Sequence, residues 1–402
     1  MTPRRVAITG LGAVCALGAD VPAFWAGMQL GDCGIGPIAG IPTERLSATL
    51  AAEVAGFDPA AHFDARRLAM LDRTAQLALV AAREAMREAK PAITEPHRAG
   101  VVLGASIGLV TFDATYVAVY GERVNRVHPF TVPRAMPSAP TSQLSIEFGL
   151  RGPSFATASA CASSNHAIGQ AFHMVRSGML DVALTGGSDA PVTFGFLKAW
   201  EALRVLSGDA CRPFSRDRSG LVIGEGAGIL VLEEWGRAHA RGARVLAELV
   251  GFGMSADAGD ITAPDADGAA RAMRAALDDA GLPPDAVGYV NAHGTGTRLN
   301  DRTEAAALAQ VFGARLPGLP VSSTKSMIGH CMVASGALEM VATVLALRHG
   351  VLPPTIGFRQ PDPECAIDCI PNQARAVTVE VAMSNSFAFG GLNAVLVAKA
   401  VP

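Results

Sequence analysis

Four reactive side chains stand out by type and setting: Cys161, His293, Lys325 and His330. Cys161 lies in SFATASACASSNHAIGQAFHMVRS, residues 154–177, whose first half is small and β-prone. Ile168, Ala171, Phe172 and Val175 then recur at helical spacing. The pattern predicts a strand, a corner at the cysteine, and a helix beginning within a residue or two of it. A thiol at such a corner faces the unpaired N–H groups and positive end of the helix, which predicts a lowered pKa. That is the setting of an activated nucleophile. It is also compatible with a small buried hydrophobe, and this stretch alone leaves both readings open.

Three further stretches carry unusual polar residues. NAHGTGTRLNDRTE holds His293, Thr295, Thr297, Asp301 and Glu304. STKSMIGHCMVASGALE holds Lys325, His330 and Glu339, and SNSFAFGGLN holds Phe387, Phe389 and the Gly390–Gly391 pair. Singly, each has an ordinary explanation: a satisfied core histidine, a lysine reaching solvent past an apolar helix, a glycine turn. Together with the cysteine segment they fall at the ends of predicted strands, and in an open α/β sheet such ends converge on one crevice. A cysteine, two histidines and a lysine meeting there form a site for acyl chemistry.

The elements that must position them occur twice. RVAITG reads as a buried strand closing in the glycine-rich turn GLGAVCALG, whose Gly10-x-Gly12 is too weak a signal for a nucleotide site. Residues 68–88 read as an amphipathic helix with Leu68, Leu71, Ala75, Leu79, Ala82 and Met86 on one face, followed by the strand GVVLGAS. Residues 109–150, with Pro129, Pro133, Pro137 and Pro140, read as a long irregular segment of functional or interface character. The Cys161 unit, the strand DVALTGGSD, a helix around Trp200, the charged loop RPFSRDRSGLVIGEGAG and the strand GILVLEE follow. Near residue 245 the order begins again. AELVGFGMSAD mirrors RVAITGLGA, ARAMRAALDDAG leads into VGYVNAHGTGT, PVSSTKS leads into GHCMVASGALEMVATVLAL, and VAMSNSFAFGG mirrors DVALTGGSD. Two similar α/β halves are expected, residues 1–245 and 246–402.

The chain has 402 residues, long for a single core, with 50% hydrophobic and 17% charged residues. That composition suggests a large interior and apolar surface covered by another subunit. A net charge of −3 gives no electrostatic reason to expect nucleic acid. The seven cysteines are scattered, so neither a disulfide framework nor a metal site is expected, and a reducing cytoplasm fits. The N-terminus lacks a long apolar segment, and no run such as Leu77–Ala82 approaches the length of a membrane span.

The whole chain resembles the β-ketoacyl-(acyl-carrier-protein) synthases, condensing enzymes of the thiolase-like fold, and among them the elongating type II synthases. The resemblance rests on ITGLGAV, LRGPSFATASACASS, RPFSRDRSGLVIGEGAG, NAHGTGT, STKSMIGH and NSFAFGG, all in family order. It implies a five-layer αβαβα fold, a homodimer in which the strand before Cys161 runs beside its twin, and an acyl carrier protein partner. No cofactor is implied beyond the phosphopantetheine that the carrier bears. By the same resemblance Cys161 is the acylated nucleophile, and His293 and His330 stabilise the enolate formed from a malonyl thioester. Lys325, held by Glu339, supplies charge. Backbone N–H groups of Cys161 and Phe389 form an oxyanion hole. Thr295, Thr297, Thr262, Phe387, Ile107 and Trp200 contact substrate. The sequence departs from the family at Val333 (usually glycine), Ser215 (acidic), Asp260 (histidine), Leu392 (threonine) and Trp200 (phenylalanine). These departures, and SADAGDITAP with GHCMVASGALEM, which resemble nodulation-type synthases, keep a specialised acyl or polyketide pathway open. A chain-length-factor-like partner subunit would share the fold but lack the cysteine present here.

Overall fold

The structure is a computed structural model that describes residues 3–401. Ten strands form one sheet: β1 (Val6–Cys15), β2 (Ala99–Ala105), β3 (Ser154–Thr157), β4 (Val182–Asp189), β5 (Gly226–Glu234), β6 (Ala247–Ala256), β7 (Tyr289–Asn291), β8 (Val321–Ser322), β9 (Val381–Ala388) and β10 (Leu392–Lys399). Their spatial order is β8-β7-β9-β10-β6-β1-β5-β4-β2-β3. The halves meet where Val6–Ile8 of β1 pair antiparallel with Leu249–Ala247 of β6. Outward from that seam each half repeats the same pattern of two antiparallel pairings and then two parallel ones. β1, β4, β2 and β3 thus correspond to β6, β9, β7 and β8, the correspondence expected from the repeated sequence order, and β5 corresponds to β10. Parallel strands buried on both faces need continuous apolar runs, and β2 and β4 are buried along their whole length.

Helices complete five layers. Those that bear on the site are α1 (Arg73–Ala89), α2 (Ser163–Arg176), α3 (Phe194–Ala202), α4 (Ala266–Ala280), α5 (Arg298–Phe312) and α6 (Ser335–His349). α1 covers the outer face of β1 and β5, and α4 covers β6 and β10. α2 and α6 touch each other and strands of both halves, so they form the central layer of an αβαβα arrangement. The segment Met332–His349 is long and apolar enough to cross a membrane, but 89% of it is buried inside the protein, as a central helix must be.

Three sequence expectations change. The helix expected over 68–88 begins at Arg73, because the Asp72 side chain accepts from Thr74 N–H and caps it; Ala65–Leu68 forms a separate turn. The glycine-rich turn expected after RVAITG is strand, for β1 continues to Cys15. A Cβ on Gly10 or Gly12 would lie 2.2 Å from the Ala85 carbonyl oxygen or 1.8 Å from that of Ala81, so these glycines let α1 lie flat on β1. Residues 109–150 are not irregular: helices span Leu109–Tyr116, Thr131–Ala135 and Ala139–Phe148. Pro140 sits in the first turn of the last of these, where its missing N–H costs no bond.

Candidate active site

Four strand ends deliver the reactive residues to one place. Cys161 sits in a single 3-10 turn, Ala160–Ala162, between β3 and α2. Ser163 laces that turn: its Oγ donates to the Ala160 carbonyl at 2.6 Å and accepts from Ser159 N–H at 2.8 Å. Ala160 is held at φ 47°, a left-handed strain that aims the thiol off the corner. His293 follows β7. Its N–H and that of Gly294 donate to the two carboxylate oxygens of Glu304 on α5, at 2.9 and 2.7 Å. Lys325 opens a one-turn helix after β8, and His330 lies between that turn and α6. The His330 main chain is clamped on both sides, its N–H donating to Val222 (2.7 Å) and its carbonyl accepting from Gly224 (2.9 Å). Phe387 is the last residue but one of β9, and Phe389 precedes a turn whose Gly390 and Gly391 require φ of +83° and +67°.

His330 Nε2 lies 3.1 Å from Cys161 Sγ. The two imidazoles meet edge to face with centroids 5.5 Å apart. Lys325 Nζ donates to the His293 carbonyl at 2.6 Å, stands 3.3 Å from His293 Nδ1 and pairs with the Glu339 carboxylate. Lys325 and Glu339 are fully buried. Burial pushes both histidine pKa values well below the ordinary imidazole range, and the Lys325 charge pushes them further. Both rings are therefore neutral at physiological pH.

Their tautomers follow from their neighbours. An ammonium can only donate, so the lysine beside His293 Nδ1 leaves the ring proton on Nε2. Met332 N–H donates to His330 Nδ1 at 3.1 Å, with the same consequence. Two Nε2–H donors thus stand beside one sulfur. Sγ and the ring nitrogens of this trio lie within 4.8 Å of one another, a spacing that an ion could bridge. A metal-ligating histidine, however, turns its other N–H toward an acceptor, and here both Nδ1 atoms face donors. The donor set suits hydrogen-bond donation to an anion.

The thiol differs from the sequence expectation. Burial pushes the Cys161 pKa up to about 11, outweighing the opposing pull of the Lys325 charge. The helix N-terminus alone predicted a lowered value, but a fully buried sulfur loses more from desolvation than a helix end returns. Lys325 is then the main counterweight. Lys325→Met should slow alkylation of Cys161 by iodoacetamide at neutral pH. It should also cost about 3–5 kcal/mol of stability by leaving Glu339 as an unpaired buried charge. Adding Glu339→Gln should return most of that stability and none of the alkylation rate. Unchanged alkylation in Lys325→Met, followed by mass spectrometry, would remove the lysine from this task.

A cavity of about 320 Å³ opens on the trio. Cys161, His293, His330, Thr295, Thr297, Thr262, Phe387, Phe389 and Trp200 all line it. Thr295 and Thr297 are joined by a 2.9 Å hydroxyl contact, and Thr297 caps α5. The charged loop after Cys211 braces them: Asp301 accepts from Phe214 N–H and Gly296 N–H, and Arg218 Nε donates to the Thr297 carbonyl. Trp200, on α3, stacks on Phe389 with centroids 5.7 Å apart and planes 19° apart. Asp260 caps its own loop, accepting from Thr262 and Ala263, and so shapes the cavity wall. Ile107, expected to contact substrate, does not line this cavity. It follows the end of β2 and is 44% exposed. Glu304, Met332 and Ser335 also build the site, though their roles depend on contacts that the sequence pattern does not display.

A buried thiol beside two neutral imidazole donors, at the meeting point of two repeated α/β halves, defines a thiolase-like acyl-condensing site. Residues 3–238 match the β-ketoacyl synthase N-terminal domain and residues 246–359 the C-terminal domain. The chain belongs to the β-ketoacyl synthase family. It is 49% identical to nodulation protein E of Rhizobium sp. (strain N33), over 99% of this chain and 100% of that protein. It is 44% identical to 3-oxoacyl-[acyl-carrier-protein] synthase 2 of Staphylococcus aureus (strain COL), over 98% of each. Among solved structures, it overlays on a type II polyketide ketosynthase in complex with its acyl carrier protein and bound to the hexaketide. That match has a TM-score of 0.91 and 32% identity, covering all of both chains.

Proposed function

We propose that the chain extends acyl chains by decarboxylative Claisen condensation. Cys161 takes an acyl group from an acyl carrier protein: the new S–C bond forms as the old thioester breaks, and the carrier's thiol leaves with a proton. Malonyl-acyl carrier protein then enters beside His293 and His330. Its C–CO2 bond breaks, the electron pair moves into an enolate, and the two Nε2–H groups stabilise the enolate oxygen. The enolate carbon attacks the Cys161 thioester. The tetrahedral oxyanion is held by backbone N–H groups of Cys161 and Phe389, and collapse frees the cysteine and 3-oxoacyl-acyl carrier protein. The products are that thioester, carbon dioxide and free acyl carrier protein. The observation that carries this reading is the pair of neutral Nε2–H donors beside Cys161.

The surroundings support the partners in this reading. A cleft shares Leu299 with the cavity and is lined by Arg216, Arg218, Arg298 and Arg302 together with Asp362 and Glu364. Arg218 pairs with Asp362 and Arg302 with Glu364, which leaves Arg216 and Arg298 to meet an acidic carrier and its phosphopantetheine phosphate. Thr295, Thr297 and Thr262 line the way in, where the pantetheine amides need polar partners. β3 is the outer strand of the sheet and only half-buried, and Tyr116, Val117, Tyr120, Val132 and Ile146 are exposed apolar residues. An open edge beside such a face favours a second copy pairing across β3. We read residues 1–245 and 246–402 as halves of one catalytic unit working in the cytoplasm, without a metal or resident cofactor.

A specialised acyl chain is a second reading, favoured by the 49% identity to a nodulation protein and by Trp200. An indole where a phenyl ring is usual leaves less room in a close-packed cavity. The purified protein, malonyl-acyl carrier protein and acyl primers of graded length test both readings. Condensation is expected, with Trp200→Phe shifting preference toward longer primers. Roughly 0.8 kcal/mol per buried methylene makes two extra carbons worth about a tenfold shift. No 3-oxoacyl product from any primer would overturn the function. An unchanged length profile with a lowered Tm would make Trp200 a packing residue.

A further inference from the structure

Ser335 is the first residue of α6 and is buried against the site. Its Oγ lies 2.9 Å from His330 Nδ1. Among the described residues, Nδ1 is the only hydrogen-bond partner of that hydroxyl, so no other acceptor competes for its proton. The same nitrogen receives Met332 N–H from a residue strained to φ 45°, and its ring faces Cys161 on the far side.

We propose that Ser335 is a positioning residue for His330: with Met332 N–H, its hydroxyl fills Nδ1 with donors and so fixes the ring proton on Nε2, toward Cys161. This deepens the reading above and rests on Cys161 as the reactive thiol. The charged and titratable groups around His330 are Cys161, His293 and Lys325, with Glu339 behind the lysine and Asp189 holding Val333 N–H. Lys325 already opposes a charged imidazole, as does burial. On the Nδ1 side the fixed obstacle is Met332 N–H, which can only donate. The Ser335 hydroxyl adds to it while it donates, because protonating Nδ1 would have to turn that hydroxyl round into an acceptor. His330 in the free enzyme is thus a donor to the sulfur, and it does not withdraw the thiol proton.

Removing the hydroxyl leaves Met332 N–H as the one remaining donor to Nδ1. A proton there is then less strongly opposed and Nε2 is freer to take the thiol proton, the opposite of what loss of a helpful base would do. The test is the rate of Cys161 alkylation by iodoacetamide between pH 6 and 9, read by mass spectrometry in the absence of any acyl or malonyl substrate. Ser335→Ala is expected to react about fivefold faster than wild type near pH 6.5, the worth of one hydrogen bond, and to converge on wild type by pH 9. Ser335→Thr, which keeps a hydroxyl, is expected to hold the wild-type profile, and Ser335→Gly serves as a second hydroxyl-free variant. Thermal melting follows all three, so that a loosened fold is not mistaken for a change at the ring. Equal rates at every pH overturn the proposal. Slower alkylation in the hydroxyl-free variants overturns it too, by making Ser335 the acceptor that helps His330 act as base. Because no condensation is measured, failure here leaves the condensing function to its own assay.

Discussion

Cys161→Ala is expected to reduce condensation to background while leaving the fold in place. The variant removes one sulfur from a turn whose geometry is set by Ser163, Ser159 and the Ala160 main chain, none of which changes. Its neighbours are small, so the void is about one atom, and a shift in Tm of only a few degrees is expected. The effect on turnover is total by comparison, since no other thiol lines the cavity among the described residues. Cys331, the closest cysteine in the chain to His330, is buried, and its sulfur is spent on the Glu225 and Ile328 carbonyls. Product formation and thermal melting measured on one preparation decide the matter. Residual elongation above a few per cent would take the nucleophile's role away from Cys161.

His293→Ala and His330→Ala should separate the two half-reactions. Each ring supplies one Nε2–H to an enolate that exists only after malonyl decarboxylation. Loss of one such preorganised donor costs about 10²–10³-fold in rate. Transfer of the acyl group onto Cys161 precedes the enolate and should fall much less in His293→Ala, whose ring does not hydrogen-bond the sulfur. His330→Ala should slow acylation more than His293→Ala does, because the 3.1 Å contact to Sγ is lost. Released carbon dioxide and the mass of the acylated protein, followed separately, report the two steps. Normal decarboxylation in both variants would make the enolate assignment wrong. Since burial and Lys325 keep both rings neutral, carbon dioxide release should show no acid limb from these histidines between pH 6 and 8.

The parts of this account that the sequence displays are those with local patterns. The strand, corner and helix around Cys161 appear as a change from alternation to helical spacing, and the structure places the helix start at Ser163. The repeated order of segments likewise appears as the mirrored sheet. What the sequence hides depends on partners far along the chain. Gly10 and Gly12 read as a turn because nothing local shows that α1 needs their missing side chains to reach β1. The thiol was expected to be acidic from its helix end, whereas its pKa depends on how completely three other segments bury it. Ile107 is a substrate contact by resemblance, yet it is not among the residues that line this cavity. Glu304 is visible as a carboxylate in an apolar helix, but its grip on His293 and Gly294 needs the fold. Burial raises its pKa to about 7, so it remains an acceptor for both N–H groups chiefly at neutral pH and above. Ser335 carries no pattern at all.

In the proposed reaction an acyl group passes through Cys161 and leaves it by attack of a decarboxylated malonyl unit. Incubation with an acyl-acyl carrier protein, followed by peptide mass spectrometry, should show one acyl thioester per chain on the peptide containing Cys161. Adding malonyl-acyl carrier protein should discharge it, with carbon dioxide and 3-oxoacyl-acyl carrier protein appearing in equal amounts. An acyl adduct on another residue, or one on Cys161 that malonyl-acyl carrier protein fails to discharge, would contradict the account.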